Sequence, residues 1–157
     1  MSDRDELVEL LGRYAAIPDT KDFEVLPSTV FTDPVTMDFE SLGRPPARTS
    51  SLAALMSVFR VTFASFTATH HAITNHRVAI DGDQATIRAH VRAEHWLPSE
   101  LVESGPTCWL VVGFYDDAAI RTGDGWRLAS VKLSVTHQEN AHLYHLAVAA
   151  ARDRAGS

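Results

Sequence analysis

The stretch THHAITNHRVAIDGDQATIRAHVRAEHW, residues 69–96, carries five of the eight histidines of the chain and decides how the rest is read. From Ile87 to Leu97 the odd positions are Ile87, Ala89, Val91, Ala93, His95 and Leu97, and the even ones are Arg88, His90, Arg92, Glu94 and Trp96. Such alternation is the pattern of a strand with one face on a core and the other in water. His95 therefore belongs to the apolar face and His90 to the wet one. A histidine that ends an apolar row is either a core residue satisfied by a neighbour or a titratable group at the mouth of a pocket.

Asp81-Gly82-Asp83 separates this run from an earlier one containing Val78 and Ile80. Asp-Gly between alternating apolar runs predicts a hairpin, because glycine accepts the positive φ that tight turns need. The hairpin sets residues near 70 opposite residues in the mid 90s. His70 and His71 are adjacent, so in a regular strand they point to opposite faces, and a bulge would exchange them. Periodicity leaves the choice between the two open.

Outward from the hairpin, Ser2 to Ile17 reads as a helix. Ser2 with Asp3, Asp5 and Glu6 supplies a cap and an acidic first turn, and Leu7, Leu10, Leu11 and Tyr14 recur on one stripe. Pro18 ends it and leaves Asp19 in the exit, where the plainer reading is a cap for a short helix over 20–26. Val35 to Phe39 is a short strand, and Ser50 to Phe66 is a second long helix whose apolar stripe is core. A loop from Pro98 leads to a strand, Thr107 to Tyr115, whose Cys108-Trp109-Leu110-Val111-Val112 run is apolar on both faces. Trp126 to His137 alternates again, with His137 on the same face as Val131, Leu133 and Val135. Asn140 to Ala151 closes a pocket or meets a second subunit.

One domain over residues 1–151, followed by a polar tail over 152–157, accounts for the chain. Helices followed by a run of strands argue an α+β fold, with a curved, mainly antiparallel sheet wrapped around N-terminal helices. The concave side of such a sheet suits a small ligand. The net charge is −6 and the Lys and Arg residues are scattered, which speaks against nucleic acid and anionic membrane surfaces as partners. Cys108 stands alone, excluding an internal disulfide or a cysteine metal cage. An acidic N-terminus and the absence of a long apolar run predict a cytoplasmic protein.

The segments Tyr14-Ala-Ala-Ile-Pro-Asp-Thr-Lys-Asp22, Phe31-Thr-Asp-Pro-Val35 with Asp38 and Ser41-Leu42-Gly43, Thr69-His70-His71 through Asn75, Ile80-Asp81-Gly82-Asp83 with Ala85, Ala93-Glu94-His95, Tyr115 and Arg121 through Arg127 follow one another in a telling order. Together they resemble the SnoaL-like branch of the nuclear transport factor 2-like superfamily, over nearly the whole chain. The resemblance implies a cone-shaped α+β barrel, usually a homodimer or higher oligomer, with a deep pocket between sheet and helices. Scytalone dehydratase, bile-acid dehydratase, ketosteroid isomerase and polyketide cyclases belong to that superfamily. Carried over position by position, its dehydratase residues correspond to Tyr14, Asp19, His71 and His95. The T-x-H-x-x-x-N pattern selects His71, four before Asn75. His70, Asn75, Trp109 and His137 are the candidate substrate contacts; where relatives end the last strand in Trp and Gly-Asn, this chain has Thr136-His137-Gln138-Glu139-Asn140.

That set suits proton transfer beside a carbonyl. A neutral imidazole removes a carbon-bound proton, a carboxylate on its other nitrogen holds the tautomer, and a phenol donates to the developing enolate. The expected roles are His71 with Asp19 as base, Tyr14 on the oxyanion, and His95 protonating or positioning a departing hydroxyl. The expected activity is a cofactor-independent dehydratase acting on a cyclic, largely apolar carbonyl or polyketide-like compound. A cyclase or isomerase would use the same site, and a non-catalytic small-molecule-binding or dimerisation module is the rival from another class. Zinc binding fits poorly with adjacent His70-His71 and no H-x-x-x-H or H-x-H set, so no metal is expected.

Overall fold

In the computed structural model, which describes residues 1–157, the histidine-rich stretch is a hairpin of β3 (Ala68–Asp81) and β4 (Gln84–Trp96). Asp81 pairs with Gln84, and Gly82 takes the turn at φ +58°. Ahead of it run α1 (Asp3–Thr20), α2 (Leu26–Val30), β1 (Phe31–Asp38), β2 (Arg48–Ser50) and α3 (Leu52–Phe63). After it come β5 (Cys108–Thr122), β6 (Gly125–Glu139) and α4 (His142–Ala155). The strands form one six-stranded sheet in the order β2-β1-β6-β5-β4-β3. It is open, with β2 and β3 as its edges, rather than a closed barrel. All neighbours are antiparallel except β1 and β6, whose parallel pairing makes the sheet mixed. No helix is long and apolar enough to cross a membrane.

The inner face of β4 is the odd row read from the sequence: Ala85, Ile87, Ala89, Val91, Ala93 and His95 are all buried. Against it pack Leu7, Leu10, Leu11, Tyr14 and Ile17 of α1 and Leu55, Met56, Phe59 and Phe63 of α3, in one apolar cluster. Burial of these side chains supplies the main stabilising term, of the order of 1.5–3 kcal/mol for each large one. Ser2 and Asp5 form a reciprocal capping box at the start of α1.

Three local expectations are corrected. Pro18 does not end α1, which continues to Thr20 and stops at Lys21 in the left-handed region, φ 56°. A proline ring in the last turn clashes with only one preceding carbonyl, and the burial of Pro18 against the core offsets that loss. The short helix lies at Leu26–Val30 rather than 20–26, and Asp22, not Asp19, caps its approach by accepting from the N–H groups of Glu24 and Val25. The tail continues α4 to Ala155, where Arg154 donates to the buried Ser65 hydroxyl.

Two bulges reset which side chains face inward. In β3, Thr74 pairs with His90 and Arg77 with Arg88, so Asn75 and His76 share the single residue Ala89 opposite; Asn75 takes φ 56°. Counted straight from the turn, His70 would oppose His95. The extra residue instead brings Thr69 opposite His95 and His71 opposite Ala93, turning His71 inward and His70 out. In β6, Gly113 pairs with Val135 but Val112 with His137, which leaves Thr136 as the extra residue. A Cβ on Gly113 would collide with the Ser134 carbonyl oxygen, so the strands approach this closely only at a glycine.

Asp117 is buried at 3% exposure, with one oxygen accepting from the Lys132 N–H at 3.2 Å and the other unpartnered. Burial pushes its carboxyl well above the usual range of 3.8, the Lys132 bond opposes this, and neighbouring Asp116 adds to it. The folded chain therefore keeps a proton that the unfolded chain releases above pH 3.8, and stability falls as pH rises past that value. Asp117→Asn is expected to gain on the native chain as pH increases, by up to about 1.4 kcal/mol per pH unit. Urea midpoints near pH 5 and pH 8 measure it; parallel pH dependences for the two chains would refute it.

Candidate active site

Asp19 sits in the last turn of α1, facing the start of β3. The Thr69 hydroxyl donates to its Oδ1 at 2.8 Å, the His71 backbone N–H donates to Oδ2 at 2.9 Å, and His71 Nδ1 lies 2.7 Å from Oδ1. A carboxylate accepting two bonds from other groups needs a donor from the ring, which makes Nδ1 the protonated nitrogen of neutral His71 and leaves Nε2 free. Burial by itself would raise the Asp19 carboxyl, but the bonds from His71 and Thr69 outweigh it and hold the group below its usual value. Asp19 thus stays ionised beside the imidazole.

His95, opposite Thr69, places its ring 5.2 Å from that of His71 and nearly perpendicular to it. Its Nδ1 lies 3.1 Å from the Trp109 carbonyl oxygen. A carbonyl only accepts, so Nδ1 carries the hydrogen and Nε2 holds a lone pair. Burial first, then the neighbouring His71, pushes its imidazole down to about 3. His95 is consequently a neutral acceptor over the physiological range. Phe63, Phe66 and Trp109 pack around it, Trp109 stacked at 4.4 Å.

The depressed value makes a stability statement. Below pH 6.5 the unfolded chain binds a proton at His95 that the folded chain refuses until about pH 3, so stability is lost as pH falls across that window. His95→Asn is expected to flatten the acid limb, by up to about 1.4 kcal/mol per pH unit. Chemical denaturation at pH 7 and near pH 4.5 measures it, and an unchanged slope would refute it.

Tyr14, on α1 one turn before Pro18, is 5% exposed and meets Tyr115 of β5 edge to face at 5.5 Å. Burial raises both phenols above their usual range, so each hydroxyl keeps its hydrogen. Both residues line the same cavity, where a phenol O–H can donate to a ligand oxygen. Tyr115 is a site residue that the motifs do not mark as one; its inward parity on β5, shared with Trp109 and Val111, is the sequence signal for it.

Tyr14, His71, His95, Trp109 and Tyr115 line one cavity of about 370 Å³, most of whose walls are apolar, among them Phe59, Phe63, Val91 and Leu133. Asp19 approaches His71 from behind, in a shallow depression shared with Val8 and Gly12. Of the other candidate contacts, Trp109 stands in the wall and donates its Nε1–H to Gln138 Oε1 at 3.1 Å. His70 and Asn75 are exposed, the first on the outer face of β3 and the second at the bulge. His137 is exposed as well, turned out by the Thr136 bulge toward Glu139, while Gln138 takes the inward place.

A family model for a SnoaL-like domain matches residues 1–132. The Kfla4162 protein of Kribbella flavida is 59% identical and superposes with a TM-score of 0.90, covering 91% of this chain and 97% of its own. A protein of Novosphingobium aromaticivorans, provisionally assigned as a scytalone dehydratase, shares the fold at 18% identity and TM-score 0.71, covering 85% of this chain and 84% of its own. A nuclear transport factor 2-like superfamily protein of Salmonella enterica does so at 13% identity and TM-score 0.70, with 86% and 92% covered. With the matched model spanning most of the chain, the protein belongs to the SnoaL-like domain family and has the nuclear transport factor 2-like fold.

Proposed function

We propose that this protein is a cofactor-independent dehydratase that removes water from a cyclic, largely apolar β-hydroxyketone. The observation that carries the reading is the Asp19–His71 pair, bonded through Nδ1 at 2.7 Å, with Nε2 left free on a residue that lines an apolar cavity. In this reading His71 Nε2 takes the proton from the carbon next to the carbonyl, and Asp19 stabilises the imidazolium that forms. The electron pair moves onto the carbonyl oxygen, which accepts a hydrogen bond from the hydroxyl of Tyr14 or Tyr115. His71 then returns the same proton to the β-hydroxyl oxygen as the C–O bond breaks, the double bond forms and water leaves. His95, a neutral acceptor, takes a hydrogen bond from that hydroxyl, which keeps its hydrogen, and so aims the oxygen lone pair at His71; it positions the leaving group rather than protonating it.

A cyclase or isomerase would share the first proton transfer and release no water, so the product decides among them. The test follows a bicyclic β-hydroxyketone whose loss of water gives a naphthol, monitored by absorbance. Turnover by the native chain, slowed at least about a hundredfold in His71→Asn, is the expected result. Binding of the ketone with no turnover of any cyclic hydroxyketone would leave a binding module and reject the enzyme.

A further inference from the structure

We propose that the cavity selects a substrate bearing a carboxylate, held at the mouth by Arg44 with Arg48; the inference rests on the cavity being the substrate site. The cavity wall contains Arg44 and Arg48 and no Asp or Glu, in a chain whose net charge is −6. Four of the twelve arginines have carboxylate partners: Arg60 with Glu24, Arg88 with Asp116, Arg92 with Glu94, and Arg121 with Asp3. Arg44 has none. On the loop that precedes β2, it is half-buried with its guanidinium carbon over the Tyr144 ring of α4, 3.3 Å from the centroid. Stacking of this kind fixes the plane of the guanidinium and leaves its edge, with paired N–H donors, free for an oxyanion. A planar carboxylate matches that edge with two parallel bonds.

The position relative to the chemistry is set by a ladder of rings. His71 meets His95 at 5.2 Å, His95 stacks on Trp109 at 4.4 Å, and Trp109 meets Tyr144 at 5.4 Å, beneath Arg44. A ring ketone in this cavity with its carbonyl at His71 would extend its far end past His95 and Trp109 toward Arg44. Burial alone disfavours the Arg44 charge in the free protein, so a monoanion that neutralises it there removes a cost already present in the fold. Arg48, more exposed on β2, adds a second positive charge at the rim.

Calorimetric titration of the full chain with 1-tetralone-6-carboxylate and with the corresponding carboxamide tests the inference. The carboxylate is expected to bind about tenfold or more tightly than its neutral isostere, a preference that falls below about threefold in Arg44→Gln and vanishes when Arg48→Gln is added. His71→Asn, which removes the proposed base, is expected to keep the preference. Equal affinities in the native chain, a preference untouched by Arg44→Gln, or no carboxylate binding below about 1 mM would overturn the subsite. Those outcomes leave the dehydration reading standing, because turnover of neutral hydroxyketones tests it separately; conversely, a carboxylate preference without turnover of any hydroxyketone rejects the chemistry alone.

Discussion

Replacing His71 by asparagine is expected to slow the proposed elimination by about 10²- to 10⁴-fold, the usual contribution of a positioned acid–base group. Asparagine is short enough to fit and its amide still donates toward Asp19, so the clamp between α1 and β3 survives and the effect falls on kcat rather than on KM. Asp19→Asn is expected to lose rate in the same range for a different reason. Its amide cannot offer acceptors to the Thr69 hydroxyl, the His71 N–H and the His71 ring together, as the carboxylate does. Nor can it stabilise an imidazolium. Because residues acting as one unit are not additive, the double variant should be no slower than the worse single one. Multiplicative losses would show that the two act independently and would discard the pair as the base.

Asp19→Asn also carries a stability signature. The native carboxyl sits below its usual value of 3.8, so its stabilising contribution is complete above that pH and is lost only as pH falls through the lower folded value. The variant is therefore less stable than the native chain near neutrality, and the gap closes in strong acid.

Trp126→Ala is expected to cost about 3–5 kcal/mol, the largest stability effect of a single truncation in this chain. Trp126 is fully buried; its backbone N–H donates to Glu6 Oε1 at 3.0 Å and its ring N–H to Asp3 Oδ1 at 3.3 Å. Arg121 lies over its ring at 4.5 Å and bonds both Asp3 oxygens. This cluster anchors the first turn of α1 to the β5–β6 hairpin, far along the helix from Tyr14 and Asp19. The far end has its own anchors, the Asp19 clamp and a bond from Lys21 Nζ to the Phe66 carbonyl at 2.8 Å. A loss of that size lowers the melting temperature by roughly 6–20 °C for a chain of this length, while molecules that remain folded keep near-normal turnover. A drop of under about 1 kcal/mol would show that the site collapses around the void and that the anchor is redundant. Trp126→Phe, which keeps most of the volume and loses the ring donor, should fall between.

Much of this architecture can be read along the chain. The Asp81-Gly82 hairpin, the inward His95, the stripe that buries Tyr14 and the capped start of α1 all follow from periods and caps that are local properties of the residues. The order of segments also identifies the family, and with it the pairing of Asp19 with a histidine of β3. What is not legible is any parity that passes a bulge. His137 alternates faithfully with Leu133 and Val135, yet the Thr136 bulge turns it out and brings Gln138 in. Alternation assumes one residue against one; an extra residue is recorded only in the pairing with the neighbouring strand.

The same reason governs the feature on which the site depends. The sequence by itself determined that two histidines of one hairpin would meet over a helix-backed apolar face, because alternation and turn chemistry are written residue by residue. Periodicity leaves open which of His70 and His71 enters and only the family resemblance selects His71; the physical cause lies in the tertiary structure, where Asn75 in a left-handed conformation absorbs one residue against Ala89 and shifts the register. The stacking of Arg44 on Tyr144 likewise joins segments a hundred residues apart that share no local pattern, and only the folded chain brings that charge to the cavity.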